Sequence, residues 1–222
     1  MSAIHDERMK RFEAAGLYVV VTGAFCAGRE ALDIVRAVLD NGVTLIQLRE
    51  KDAAETVLLR LAEQVRRLTE QAGALLMVND CLETALAVGA DGVHLGRDDR
   101  PVDRARAVAP GLIVGASTHS VAEAQDAERL GASYINIGPL FPTQTKTLAM
   151  PCLGLAGVRE ISRAVSTPFT VMGGIKIGHV PDLIAAGART LAVVTAVTAA
   201  ADPGRAAAEL LSAIRAGMNE GQ

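Results

Sequence analysis

A single-domain (β/α)8 TIM barrel of near-minimal size is the fold class that the sequence predicts, on three observations. Short runs rich in Val, Ile and Leu recur eight times, each followed by a polar or glycine-bearing turn and an Ala- and Leu-rich segment with helical spacing. The alternation passes through the 222 residues without a Pro- or Ser-rich linker, which reads as one domain over 1–222 with residues 1–16 as an N-terminal helical extension. A Gly-Gly pair, Gly173 and Gly174, follows the seventh run and Thr195 closes off the eighth, where barrels of this class hold phosphate. A doubly wound open sheet is the rival architecture, because counting runs does not close a sheet.

Taken in order, residues 1–16 carry charges where a secretory leader needs an apolar core. The first apolar run is 17–21, LYVVV. Segment 30–40 then places apolar residues three and four apart and stops near Gly42, ahead of the second run at 44–48. Segment 53–72 repeats the pattern and stops at Gly73, before the third run at 75–78. Runs at 92–95 and 112–115 follow. Segment 121–130 ends at Gly131, before the sixth run at 134–137, and runs at 169–172 and 190–194 complete the eight. Parallel strands need such helical crossovers, and a buried parallel sheet favours these continuous aliphatic runs over alternating ones.

Composition narrows the function. The net charge of −3, with no uniformly basic run, argues against a nucleic-acid partner, since backbone binding needs clustered Lys and Arg. The apolar stretch at 191–201 is broken by Thr195 and Thr198, so no membrane span is expected. Three scattered cysteines, Cys26, Cys81 and Cys152, form neither a C-x-x-C pair nor an even set, and read as reduced thiols of a cytoplasmic protein.

In a barrel the chemistry gathers at the C-terminal ends of the strands, and polar residues collect there. The second run leads into Gln47-Leu48-Arg49-Glu50-Lys51, and period-two alternation sets Gln47, Arg49 and Lys51 on one side and Leu48 on the other. Two cations and an amide on one side suit a highly charged anion such as a diphosphate. The third run ends in Asn79-Asp80 and the fourth leads to Asp98-Asp99. Carboxylates at adjacent strand ends repel unless a cation lies between them, and hard oxygen ligands beside a phosphate suit Mg²⁺; the simpler reading is that each caps the helix after it. His94 lies within the fourth run as an interior histidine. Ser117 and His119 follow the fifth, a hydroxyl for a phosphate oxygen and a candidate acid or base. The sixth run continues as GPLFPTQTK, where Pro139 and Pro142 exclude a helix and Thr143, Thr145 and Lys146 are too polar for a core. Together these describe a phosphorylated ligand, a diphosphate and a divalent metal in one mouth, as in a transferase with diphosphate as leaving group.

The sequence resembles the thiamine phosphate synthase family from about Leu17 to the final helix. QLREK (47–51), VND (78–80), DGVHLGRDD (91–99), GASTH (115–119), IGPLFPTQTK (137–146), GGI (173–175) and VVTAV (193–197) carry the resemblance. It implies a barrel enzyme that joins hydroxymethylpyrimidine diphosphate to hydroxyethylthiazole phosphate, through a dissociative pyrimidine cation. It further implies that Gln47, Arg49, Lys51, Asn79, Ser117 and Lys146 hold the pyrimidine diphosphate, that Leu48 and Glu50 also belong to the substrate-binding set, and that Lys146, Arg49 and Lys51 are the catalytic cations. Asp80 and Asp99 are then the Mg²⁺ ligands, and Thr143, Gln144, Thr145, Gly174, Val194 and Thr195 hold the thiazole phosphate. The chain departs from the family pattern at Gly23, Cys81, Arg97, Thr195 and 147–152. The implied partners are the two small-molecule substrates, with a homo-oligomer left open. Two other readings compete: a thiazole tautomerase-like isomerase using His119, and a non-catalytic sensor of thiamine precursors. Neither needs Asp80, Asp99 and Lys146, and the chain has all three.

Overall fold

A computed structural model describes residues 2–97, 99, 101–143 and 151–220. The chain opens with α1 (Ala3–Glu13), then alternates β1 (Leu17–Val21), α2 (Ala31–Asp40), β2 (Leu45–Leu48), α3 (Glu55–Gln71), β3 (Leu75–Asn79) and α4 (Leu82–Ala87). It continues through β4 (Gly92–Leu95), α5 (Val102–Val108), β5 (Ile113–Thr118), α6 (Val121–Arg129), β6 (Tyr134–Ile137) and α7 (Gly154–Arg163). β7 (Phe169–Met172), α8 (Val180–Ala185), β8 (Thr190–Val193), α9 (Thr195–Thr198) and α10 (Pro203–Glu220) complete it. Every neighbouring strand pair is parallel, and β8 pairs with β1, so the sheet closes into a barrel and the open-sheet alternative falls.

Two apolar layers hold it together. Outward-facing Leu17, Val19, Ile46, Leu48, Leu76, Val78, Val93, Val114, Ile135 and Leu191 pack under the helices, which bury Ile34, Val35, Val38, Leu58, Val65, Ile161 and Ile214. The inward positions form a second cluster of Tyr18, Leu45, Leu75, Met77, Ile113, Tyr134 and Ala192, closed from below by Met9 and Phe12 of α1. Phe12 packs 4.4 Å from the Tyr134 ring and 5.9 Å from the Tyr18 ring, centroid to centroid. Arg8 pins α1 there: Nε lies 3.2 Å from the buried Asp91 carboxylate, and Nη1 donates to the Gly111 carbonyl at 2.8 Å.

Moving up the interior, the side chains change from apolar to polar. The register sets Gln47 beside Met77, Asn79 beside His94, and Ser117 beside Asn136. Gly115 makes room for the bulkiest of them, since a Cβ there would lie 2.2 Å from the Tyr134 ring. Gly115→Ala is therefore expected to cost about 1–3 kcal/mol of stability, through overpacking and without a φ penalty. Urea unfolding checks this; a variant as stable as the parent would show that the interior gives way freely.

Candidate active site

The polar end of the interior opens at the C-terminal ends of the strands into a cleft. Its floor is a hydrogen-bonded chain. Gln47 donates through Nε2 to the Tyr18 hydroxyl, and the hydroxyls of Tyr18 and Tyr134 are 3.1 Å apart. The Tyr134 hydroxyl lies 2.8 Å from His94 Nδ1, and His94 Nε2 lies 2.9 Å from Ser117 Oγ. Asn136 also faces the cleft, with its Oδ1 accepting from Thr170 Oγ1 at 2.8 Å.

On one wall, Asp80 follows β3 with φ of +62°, the left-handed region that few residues other than Gly, Asn and Asp enter. Its N–H donates to the His94 carbonyl at 2.8 Å, which ties this turn to β4. Burial, and then the neighbouring Asp99 carboxyl, push the Asp80 pKa up to about 6, against the opposing pull of Lys51. Lys51 Nζ stands 3.3 Å from Asp80 Oδ2, and Asp99 Oδ2 accepts from the Gly96 N–H at 2.6 Å. Neither carboxylate caps a helix. The cap of α4 is Cys81, whose Sγ accepts from the Thr84 N–H at 3.4 Å, and Pro101 precedes α5 with no side-chain cap bond. The simpler reading of these aspartates is thereby removed, and Cys81 is accounted for as a cap.

The β2 exit divides by alternation as the sequence predicts: Gln47, Arg49 and Lys51 line the cleft. Two members of that segment do not. Leu48 is fully buried in the outer layer, and Glu50 turns back so that Oε1 accepts from the Gly23 N–H at 2.7 Å. Their side chains are thus engaged away from the cleft, and a contact from either to substrate would have to come from the backbone. Ser117 also lies within β5 rather than after it, because the strand runs to Thr118.

The opposite wall is backbone. Gly173 and Gly174 follow β7 with φ of +108° and +62°. The 138–142 segment lies against them, with Leu140 N–H donating to the Met172 carbonyl at 2.9 Å and Phe141 N–H to the Gly173 carbonyl at 3.0 Å. A Cβ on Gly174 would sit 2.5 Å from the Pro142 carbonyl oxygen, so these glycines answer both to chain direction and to close approach. Gly174, Thr143, Val194 and Thr195 line this side, with Val194 and Thr195 at the start of α9. His119 lines the cleft as well; its N–H donates to Glu123 Oε2 at 2.7 Å, and Arg97 Nη1 lies 3.8 Å from Glu123 Oε1. Gln144, Thr145 and Lys146 fall outside the described residues.

Among the sequence-predicted positions, the structure brings Gln47, Arg49, Lys51, Asn79, Asp80, Ser117, Thr143, Gly174, Val194 and Thr195 to one cleft, and Asp99 stands beside Asp80. Sequence reasoning missed Tyr18, Tyr134 and Asn136. Alternation held the signal for the last two, since Tyr134 and Asn136 share a face of β6; Tyr18 read as one more apolar strand residue.

Comparison with known proteins points one way. The family model described as thiamine monophosphate synthase matches residues 17–197. The thiamine-phosphate synthase of Methanoculleus marisnigri is 44% identical, over 93% of this chain and 98% of that protein. The thiamine-phosphate synthase of Chloroflexus aurantiacus is 43% identical, over 87% and 90%. The solved thiamine phosphate pyrophosphorylase of Pyrococcus furiosus superimposes with a TM-score of 0.85 at 35% identity, covering 93% of this chain and 98% of that one. A 3-hexulose-6-phosphate synthase at 21% identity and a TM-score of 0.66 shares the fold alone.

Proposed function

The chain belongs to the thiamine monophosphate synthase family and is a transferase that makes thiamine phosphate, and on that footing we propose how its cleft divides the work. The pyrimidine diphosphate lies on the side of Gln47, Arg49, Lys51, Asn79 and Ser117. The thiazole phosphate lies on the side of Thr143, Gly174, Val194 and Thr195. The observation that carries this reading is the pairing of Asp80 with Asp99 beside Lys51, across the cleft from a glycine turn that admits a phosphate.

The donor set suits Mg²⁺. Burial, and then the crowding of Asp99 against it, raises the pKa of Asp80, a cost that a bound cation would relieve. Asp80 and Asp99 are the described residues that would hold the ion. The chemistry such an ion supplies when bound is neutralisation of charge on the diphosphate.

Arg49 and Lys51 contribute to the same end as fixed cations at the diphosphate. The C–O bond to the pyrimidine methylene breaks first, and its electron pair leaves with the diphosphate. The pyrimidine cation that remains accepts the lone pair of the thiazole nitrogen, which forms the new C–N bond. No protein nucleophile is required. Val20, Ile175, Ala192 and Val193 give the cleft apolar wall that limits water, the competing nucleophile. Three unpaired cysteines, one of them exposed, support a reducing, cytoplasmic setting; no helix among the described residues is long and apolar enough to cross a membrane.

With both phosphorylated precursors and Mg²⁺, equal amounts of thiamine phosphate and diphosphate are expected. Failure to form them, with conversion of the thiazole isomer instead, would favour the tautomerase reading. The role of Lys146 rests on its place in the sequence motif. Lys146→Ala is expected to lower kcat about 10²- to 10³-fold while the KM for the thiazole phosphate changes little; equal losses in both would remove Lys146 from the leaving group.

A further inference from the structure

We propose that Tyr18 and Tyr134 are positioning residues, whose buried hydroxyls carry one direction of hydrogen bonding from Gln47 to His94 and so turn the Ser117 proton into the cleft. A hydroxyl has one proton to give, so each link in the chain fixes the next. With Gln47 Nε2 donating to Tyr18, Tyr18 donates to Tyr134 and Tyr134 to His94 Nδ1. His94 is then the Nε2–H tautomer, its Nε2 donates to Ser117 Oγ, and the Ser117 proton is left to point at the ligand. Turning over the Gln47 amide reverses every link and presents Ser117 lone pairs to the cleft instead.

An anion beside Ser117 selects the first direction, because lone pairs facing a diphosphate repel it; here the inference rests on the proposed function. Arg49 and Lys51 line the same cleft and favour that anion. The relay is also built rather than incidental. Tyr18 and Tyr134 are 1% and 0% exposed, Gly115 gives way to the Tyr134 hydroxyl end, and Phe12 presses on both rings. Burial raises both phenol pKa values above the ordinary 10, so both keep the proton that the relay needs.

The test reads the His94 tautomer by ¹H–¹⁵N correlation of ¹⁵N-histidine-labelled protein with inorganic diphosphate and Mg²⁺ present. The parent should show a protonated Nε2 and a bare Nδ1. Tyr134→Phe and Tyr18→Phe should both mix the tautomers, and both should lower kcat/KM for the pyrimidine diphosphate about tenfold, with the KM for the thiazole phosphate unchanged. Tyr18→Phe is the decisive variant, because the hydroxyl it removes is one link away from His94. A folded Tyr18→Phe protein with an unaltered His94 tautomer overturns the relay, as does an Nδ1–H tautomer in the parent. Absence of synthase activity in the parent would sink the proposed function and leave the tautomer result standing by itself.

Discussion

Asp80→Asn is expected to lower turnover by about 10³-fold or more and, in metal-free buffer, to raise stability. The first effect follows from losing one of two carboxylates in the proposed cation site, worth several kcal/mol of charge stabilisation in the transition state. The second follows from the raised pKa. Burial and Asp99 make the Asp80 carboxylate costly in the folded chain, so its pKa of about 6 lies above the unfolded value. A group shifted upward gives full stability below the unfolded pKa, near 4, and loses it as pH rises through about 6. Asparagine removes that penalty. The variant should gain about 1–2 kcal/mol at pH 7.5 and nothing below about pH 4. Excess Mg²⁺ should reverse the ranking, since it stabilises only the protein that binds it. Thermal melts at two pH values, with and without the ion, decide it; a metal-free variant less stable than the parent at pH 7.5 would mean that the Lys51 contact outweighs burial.

Gly174→Ala is expected to combine a loss of about 2–4 kcal/mol of stability with a KM for the thiazole phosphate raised at least about tenfold. The residue has φ of +62°, and its added Cβ would stand 2.5 Å from the Pro142 carbonyl oxygen, a backbone atom that cannot rotate away. Relief requires moving either the β7 turn or the 138–142 segment, and both border the cleft. The side proposed for the pyrimidine diphosphate is remote from this strain, so the KM for that substrate should change much less. Steady-state kinetics against each substrate distinguish the outcomes; equal rises in both KM values would point to general loosening instead.

The strands were legible because a buried parallel barrel makes each one a short aliphatic run. The runs at 92–95, 134–137 and 169–172 coincide with β4, β6 and β7. The end of β5 was not, because Ser117 and Thr118 look like a polar turn; in the barrel their hydrogen bonds to His94 Nε2 and the Asn136 carbonyl keep them in the sheet. The site was legible wherever alternation fixed a side, as with Gln47, Arg49 and Lys51. Spacing could not name the partner of Glu50, because the Gly23 N–H lies on another strand's loop and leaves no trace in local sequence. Capping could be judged only from coordinates. Asp80 and Cys81 are equally placed in the sequence to start α4, and a thiol is the less expected of the two.

The helix that closes the bottom of the barrel also sets an order of events. α1 precedes every strand in the chain, yet Met9 and Phe12 on it are covered by residues gathered from β1, β3, β5 and β6 together. During synthesis Met9 and Phe12 are expected to wait for those strands before they are covered. Its docking is therefore expected to report closure, with protection of the α1 amides from exchange among the last to appear on refolding.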